Sequence, residues 1–174
     1  MNTKKNPAGN ENLVVLEEKY KKNPAGNENL VVWEEKYTTG ITLIDNQHKE
    51  LIKLTNQLYH ACLGENERLG AAFKEALGRM VEYVRFHFSA EQQLMERIKF
   101  PNSAEHITQH NVLVIDIIDA AKDFSEGKKL VPNQFVRTLR DWIFGHIGIY
   151  DKALVFYIME QKKKGLLNDR QING

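Results

Sequence analysis

Five of the six histidines in this 174-residue chain recur, with two carboxylates, in four separate segments that each have the periodicity of a helix. The groups are, in order, His48; His87 and Glu91; His106 and His110; His146 and Asp151. Residues four apart lie above one another on a helix face, so the second and third groups each project two side chains in one direction. Four helices must come together to unite these groups.

Hydrophobic residues at spacings of three and four predict four amphipathic helices. We expect them to cover about 44–63, 69–98, 103–127 and 132–165. Gly127 and Gly165 are suitable ends for the last two helices. No segment shows the alternation typical of a strand. Because the connections are short, we predict an all-α fold, an up-down-up-down four-helix bundle with an N-terminal arm, in which metal sites are built from side chains on facing helices.

The N-terminal arm contains a duplication. Residues 4–20 and 21–37 are identical except that Leu16 in the first copy corresponds to Trp33 in the second. Because the second copy runs directly into the bundle, Trp33 is the expected anchor. We predict two domains, a duplicated arm over 1–37 and a bundle over 38–174. The arm is either loosely packed, or its first copy competes for the docking site of the second, on its own chain or a neighbouring one. The protein is then a monomer or an arm-exchanged oligomer.

Net charge and cysteine content indicate which partners and which cellular compartment to expect. The formal net charge of +1 indicates neither a nucleic-acid nor a membrane partner. The only cysteine, Cys62, allows no internal disulfide and no cysteine-ligated iron–sulfur cluster, which fits a reducing compartment. No stretch approaches the roughly 18 to 20 apolar residues of a membrane span. We therefore expect a cytoplasmic protein.

The surroundings of the histidines favour a metal site. Apolar neighbours such as Phe88 and Ile107 place the polar pairs at buried positions, where unpartnered ionisable groups cost several kcal/mol each, on the order given by transfer energies. Metal coordination turns them into satisfied ligands. His146 and Asp151 are five apart, roughly 140° around an ideal helix, so sharing a site requires a local distortion or a reaching side chain. His60 is expected at the surface and is not counted as a ligand.

Together these residues resemble the hemerythrin family, specifically the single-domain bacteriohemerythrins. The resemblance covers Trp33 to about Tyr157, nearly all of the chain beyond the duplicated arm. It rests on the motifs Gly40-Ile41, Ile44-Asp45-x-Gln47-His48, His87-Phe88-x-x-Glu91-x-x-Leu94-Met95, Pro101, His106-x-x-x-His110, Trp142-x-x-x-His146-Ile147 and Asp151.

The resemblance implies an oxo- or hydroxo-bridged pair of iron ions. One iron takes three histidines and the other takes two, while two carboxylates bridge them and one iron keeps an open position for dioxygen. The corresponding residues here are His106, His110 and His146; His48 and His87; and Glu91 and Asp151.

The resemblance also implies an apolar oxygen pocket, whose residues are equally suited to an ordinary bundle core. They are Leu51, Phe88, Trp142, Ile143 and Ile147. Ile143 stands where many relatives have leucine, and its branched Cβ makes the side chain stiffer. A stiffer wall is expected to alter oxygen access or autoxidation.

The function that follows is reversible dioxygen binding, for storage, transport or sensing, by a protein that is not an enzyme. Histidine-rich ligation differs from the Glu-x-x-His arrangement of di-iron oxidases and favours binding over oxygen splitting. Two alternatives use the same residues. One is a di-iron enzyme with peroxidase-like or nitric-oxide-handling activity, and the other is an interaction module that responds to oxygen or redox state.

Overall fold

The structure is a computed structural model that describes residues 29–63 and 66–173. The chain divides into two compact units, Met1–Leu30 and Val31–Gly174. Asn29 and Leu30, the described residues of the first unit, form no helix or strand. The first arm copy and the start of the second, through residue 28, lie outside the described residues, as does Gly64. The predicted domain boundary between residues 37 and 38 stays a prediction.

The second unit consists almost entirely of helices. They are a 3₁₀ turn at Glu35–Tyr37, α1 at Thr42–Leu63, α2 at Asn66–Arg97, α3 at Ser103–Ser125, α4 at Val131–Gly145, a π-helical turn at His146–Asp151, α5 at Lys152–Lys163 and α6 at Asp169–Asn173. No strand occurs within the described ranges. The all-α prediction is confirmed.

The long helices form the predicted bundle. Helix α1 packs against α2 and α4, and α3 packs against the same two helices. The fourth helix of the bundle is α4, the π-helical turn and α5 together, because Gly145, Asp151 and Lys152 at the joints all keep right-handed helical dihedrals. The core of the bundle is filled by large side chains without solvent exposure, including Phe73, Met80, Leu113, Leu139 and Ile143.

Left-handed residues end three of the helices. Gly127 and Gly165 have φ values of +73° and +69°, a region that glycine occupies without steric cost. Lys99 takes the same role after α2, with φ of +54°, and the next N–H, of Phe100, donates to the Met95 carbonyl at 2.8 Å. The two predicted glycine ends are confirmed. The lysine end was not predicted, because a non-glycine residue gives little sequence signal there.

A short segment before α1 is docked along the bundle. The main-chain N–H of Val31 donates to Asn56 Oδ1 at 2.9 Å, and Asn56 Nδ2 donates back to the Val31 carbonyl at 2.8 Å. Tyr37 is buried, with its ring 6.3 Å from that of Phe144. Trp33, the predicted anchor, is only half-buried. Val31 and Tyr37 therefore hold the segment more deeply than Trp33 does.

The beginning of α1 is fixed by its own first turn. Asp45 Oδ1 accepts hydrogen bonds from the main-chain N–H and the hydroxyl of Thr39, both at 2.7 Å. The left-handed Gly40, with φ of +79°, turns the chain into the helix. This turn places His48 one helical turn further along, where α1 faces the bundle interior. None of the helices of the described residues is long and apolar enough to cross a membrane.

Candidate metal centre

All seven predicted ligand residues are brought together inside the bundle. Each is at most 2% exposed, and each of the four bundle helices contributes at least one. They are His48 on α1; His87 and Glu91 on α2; His106 and His110 on α3; and His146 and Asp151 on the π-helical turn. The sixth histidine, His60, is exposed on α1, as predicted.

Four residues form what we call the three-histidine half: Glu91, His106, His110 and His146. Glu91 Oε2 lies 3.1 Å from His106 Nε2 and 3.2 Å from His110 Nε2. The Nε2 atoms of His110 and His146 are 3.1 Å apart. Three imidazoles thus turn the same ring nitrogen towards one space, as ligands of a single ion would.

The two-histidine half consists of His48 and His87, again with Glu91. His87 Nε2 lies 3.7 Å from Glu91 Oε2. The rings of His48 and His87 are 4.8 Å apart and nearly perpendicular, at 70°. Glu91 therefore belongs to both halves, which is the position of a carboxylate that can bridge two ions.

Asp151 joins the halves differently, with one oxygen on each side. Its Oδ2 lies 3.1 Å from Nε2 of His48, in the two-histidine half. Its Oδ1 lies 3.2 Å from Nε2 of His146 and 3.3 Å from Nε2 of His106, in the other half. A carboxylate with its two oxygens facing two ligand groups has the geometry required to bridge two metal ions.

The π-helical turn explains how residues five apart share this site. A π-helix bonds each residue to the fifth along the chain, so His146 and Asp151 come nearly into line, whereas an α-helix would separate them by roughly 140°. Such turns inside α-helices are frequent at functional sites. The distortion that the sequence required is therefore a change of helix type.

The buried polar atoms fit a metal better than they fit each other. Five ligand atoms have no hydrogen-bond partner within the described part of the chain: His48 Nε2, His87 Nε2, Glu91 Oε1 and both carboxylate oxygens of Asp151. The short contact between His48 and Asp151 lacks hydrogen-bond direction, since both atoms are among these five. Unpaired buried groups are costly, and coordination to cations would satisfy all of them.

Burial and charge set the protonation of the cluster without metal. Burial lowers the pKa of His87 to about 3 and that of His110 to about 4. Burial also disfavours the charge of His146, but Asp151 and Glu91 outweigh it and raise its pKa to about 9. Burial favours the neutral acids, yet the histidines hold the pKa of Asp151 at about 2 and that of Glu91 well below its ordinary value. His87, His110 and the two carboxylates are therefore in the forms that bind metal, whereas His146 would release a proton on binding.

Aromatic rings cover the three-histidine half. Phe88 stacks on His110 with ring centroids 3.7 Å apart and planes 4° from parallel. Trp142 stacks on His146 at 4.2 Å and 11°. The five predicted pocket residues are all buried: Leu51, Phe88, Trp142, Ile143 and Ile147. Their role as the wall of an oxygen cavity stays a prediction.

Two further residues support the two-histidine half and had no predicted role. Gln47 Oε1 lies 3.0 Å from His87 Nδ1 and can accept its N–H, which fixes the ring with Nε2 turned inward. The Tyr83 ring stacks on His87 at 4.8 Å, and its hydroxyl is buried with no hydrogen-bond partner in the described ranges. Tyr83 lies four residues before His87, so the helix periodicity carried the only available signal.

Comparison with known proteins agrees with this geometry. Residues 39–155 match the family model of the hemerythrin HHE cation binding domain. The chain belongs to the hemerythrin family. Hemerythrin-family proteins bind a di-iron centre, and the buried histidine and carboxylate groups described above are suited to hold one.

Individual hemerythrin relatives are similar over most of their length. A bacteriohemerythrin of Methylococcus capsulatus is 30% identical over 115 residues, which cover 66% of this chain and 85% of the relative. One of Pseudomonas aeruginosa is 29% identical over 136 residues, or 78% and 86% of the two chains. A crystal structure of a hemerythrin variant superposes with a TM-score of 0.62 at 28% identity, covering 71% of this chain and 93% of that one.

Proposed function

We propose that this protein binds dioxygen reversibly at a di-iron centre held by the seven clustered residues. The observation that carries the proposal is the arrangement of Asp151, whose two oxygens face the two histidine groups. A single-metal site needs only one carboxylate oxygen near one set of nitrogens. Two sets on opposite sides of a carboxylate favour two ions.

In this proposal the two halves hold one ion each. His106, His110 and His146 would hold one iron, and His48 and His87 the other, while Glu91 and Asp151 would be shared between them. A pair of iron ions supplies the electrons and an open coordination position for a diatomic ligand. The half with two histidines has one nitrogen fewer, so the open coordination position would lie there.

The protein residues then favour binding over reaction. Five imidazoles and two carboxylates carry less negative charge than a carboxylate-rich oxidase site, and so stabilise highly oxidised iron less. The apolar residues around the histidines, such as Leu51 and Ile147, are without solvent exposure and keep water and protons away from the centre. Hemerythrins are in general oxygen-binding proteins without enzymatic activity, which agrees with this proposal.

The experiment that tests the proposal combines metal analysis with optical spectroscopy of the purified protein. We expect two irons per chain and an absorption band that forms with oxygen, bleaches under vacuum and returns when oxygen is readmitted. One zinc per chain would contradict the di-iron assignment. Two irons with rapid consumption of peroxide and a reducing donor, and no reversible band, would replace binding with catalysis.

A further inference from the structure

The docking site for the segment before α1 recognises main chain. Both hydrogen bonds involve the backbone of Val31, whose N–H donates to the side-chain amide of Asn56 and whose carbonyl accepts from it. Main-chain pairing of this kind provides affinity without reading the side chain. A segment with a similar backbone and the right neighbours can therefore occupy the same place.

Two more contacts complete the site, and both involve side chains. Tyr37 lies against Phe144 on α4, and the Trp33 ring is 6.0 Å from the Tyr37 ring. Lys49 Nζ on α1 lies 5.0 Å from the centroid of the Trp33 ring, which is a cation–π distance. The docked segment is thus held by an amide clamp, an aromatic anchor and a weaker half-exposed contact.

The first arm copy carries nearly all of these features. Val14 and Tyr20 correspond to Val31 and Tyr37 at an offset of 17 residues, and the residues between them match except for one. The exception is Leu16 in place of Trp33. Leu16 retains an apolar side chain but loses the ring over Lys49.

We propose that this site, formed by Asn56, Lys49 and Phe144, also binds residues 14–20 of the same chain in competition with residues 31–37. The arm then exists in two registers that differ by 17 residues. In the second register, residues 21–37 form a closed loop between the docked first copy and α1. This inference does not depend on the proposed oxygen function.

The same chain is the favoured source of the competing segment. A tether of 17 residues gives an effective concentration on the order of millimolar, above ordinary protein concentrations. The entropy cost of closing such a loop grows only slowly with its length. This cost and the missing ring at Leu16 both act against the second register. Residues 31–37 are therefore the majority occupant and residues 14–20 the minority occupant.

Cross-linking of the full chain can separate the registers. Lys36 and Lys152 line one groove beside the docked segment, and Lys19 is the counterpart of Lys36 in the first copy. In a Cys62→Ser background, we compare Lys36→Cys/Lys152→Cys with Lys19→Cys/Lys152→Cys, using a short bismaleimide reagent. Asn6→Cys/Lys152→Cys measures the background, and peptide mass spectrometry identifies each cross-link.

We expect the Lys36 variant to give the highest yield of cross-link within single chains. The yield of the Lys19 variant should exceed that of the Asn6 variant severalfold. Exchanging the two distinguishing residues, Leu16→Trp with Trp33→Leu, keeps the composition and should raise the Lys19 yield at least threefold. Asn56→Ala should lower both yields, with helix content checked by circular dichroism.

Three outcomes would overturn the inference. A Lys19 yield equal to the Asn6 background would show that the first copy does not dock. Cross-links between chains, visible as covalent dimers, would assign the docking segment to a second molecule instead. An unchanged Lys19 yield after the Leu16 and Trp33 exchange would show that the two copies do not compete for one site.

Discussion

The two halves of the candidate metal centre are supported in different ways. The three-histidine half is packed under aromatic rings, with Phe88 on His110 and Trp142 on His146. The two-histidine half is held by a polar contact from Gln47 to His87 and by the Tyr83 ring. The three-histidine half is therefore supported by packing, whereas the two-histidine half combines ring stacking with one directed hydrogen bond.

This difference fits the chemistry proposed for each half. A saturated ion needs fixed ligands, which dense apolar packing provides. An ion with an open position needs ligands that keep their direction when the exogenous ligand comes and goes, and an outer hydrogen bond to imidazole supplies that direction. Substitutions should therefore affect the two halves separately, except at the residues that belong to both.

The largest effect is expected from substitution of Glu91, because this residue belongs to both halves and its loss should weaken both. Glu91→Gln keeps the size but removes the charge shared by both ligand groups. We expect the iron content to fall from two per chain to below one, because the loss should exceed the roughly 10- to 100-fold known for outer contacts to metal ligands. Iron is measured by elemental analysis after gel filtration.

Glu96, exposed on the same helix, provides the matched control. Glu96→Gln should leave two irons per chain. Retention of both irons by Glu91→Gln would show that Glu91 is not a shared ligand.

The metal-free protein should be most stable near pH 6.5. Below that pH the unfolded chain binds protons at His87 and His110, whereas burial keeps the pKa values of both in the folded protein at about 3 and 4. The free energy of unfolding therefore decreases as the pH is lowered. Above it, the unfolded chain releases the His146 proton that the folded protein retains up to about pH 9, so stability also falls. Between about pH 4.5 and 6.5 two groups act, and between about pH 6.5 and 9 only one does; Glu91 and Asp151 add to the loss only below about pH 4.5, because their pKa values are also held low.

Each of these histidines contributes about 1.4 kcal/mol per pH unit, so the acid limb should be about twice as steep. Urea unfolding of the chelator-treated protein at several pH values measures both limbs. His87→Gln should halve the acid slope and leave the alkaline limb unchanged. An unchanged acid slope would contradict the assignment to His87.

Phe88 and Phe86 test the packing of the three-histidine half. Phe88 is 5% exposed and stacked on His110, whereas Phe86 on the same helix is 63% exposed. We expect Phe88→Leu to lower the free energy of unfolding by about 1–2 kcal/mol, through lost volume and lost ring stacking. Phe86→Leu should change it by less than about 0.5 kcal/mol. Equal effects in thermal unfolding would argue against a special role of the stacked ring.

The smallest effect is expected at Gln47, and only in the two-histidine half. Gln47→Ala removes the acceptor at His87 Nδ1, so the iron of that half should bind about tenfold more weakly. Chelator competition should then release one iron early and the other at the normal rate. Gln57→Ala, at an exposed position of the same helix, is the control. Simultaneous release of both irons would show that the halves are not independent.

Much of this arrangement follows from the sequence because helix periodicity is local. The spacing of His87 to Glu91 and of His106 to His110 predicts shared faces, and the structure has both pairs in the core. Gly127 and Gly165 mark helix ends through their backbone freedom alone. These features need no knowledge of the other helices.

The features that the sequence did not reveal depend on contacts between distant segments. The pairing of Gln47 with His87 joins α1 to α2, and the clamp of Asn56 on Val31 joins α1 to the arm. The sequence predicts Trp33 as the anchor, but backbone pairing of Val31 and the burial of Tyr37 hold the segment. The π-helical turn at His146 depends on the contacts that Asp151 makes with His48 on another helix. The five-residue spacing of His146 and Asp151 shows only that some distortion is needed.

The π-helical turn also determines which side chains of α5 face the core. One extra residue in an α-helix rotates everything beyond it by about 100°, whereas the wider π-helical turn absorbs that residue. Buried positions accordingly run four apart through Ile143, Ile147 and Asp151 before Leu154 and Ile158 continue the core. If the same residues formed α-helix throughout, Asp151 would turn away from the histidines, and the same rotation would bring Leu154 and Ile158 towards the surface. The proposed metal ligands and the apolar end of the bundle are therefore kept in phase by the π-helical turn.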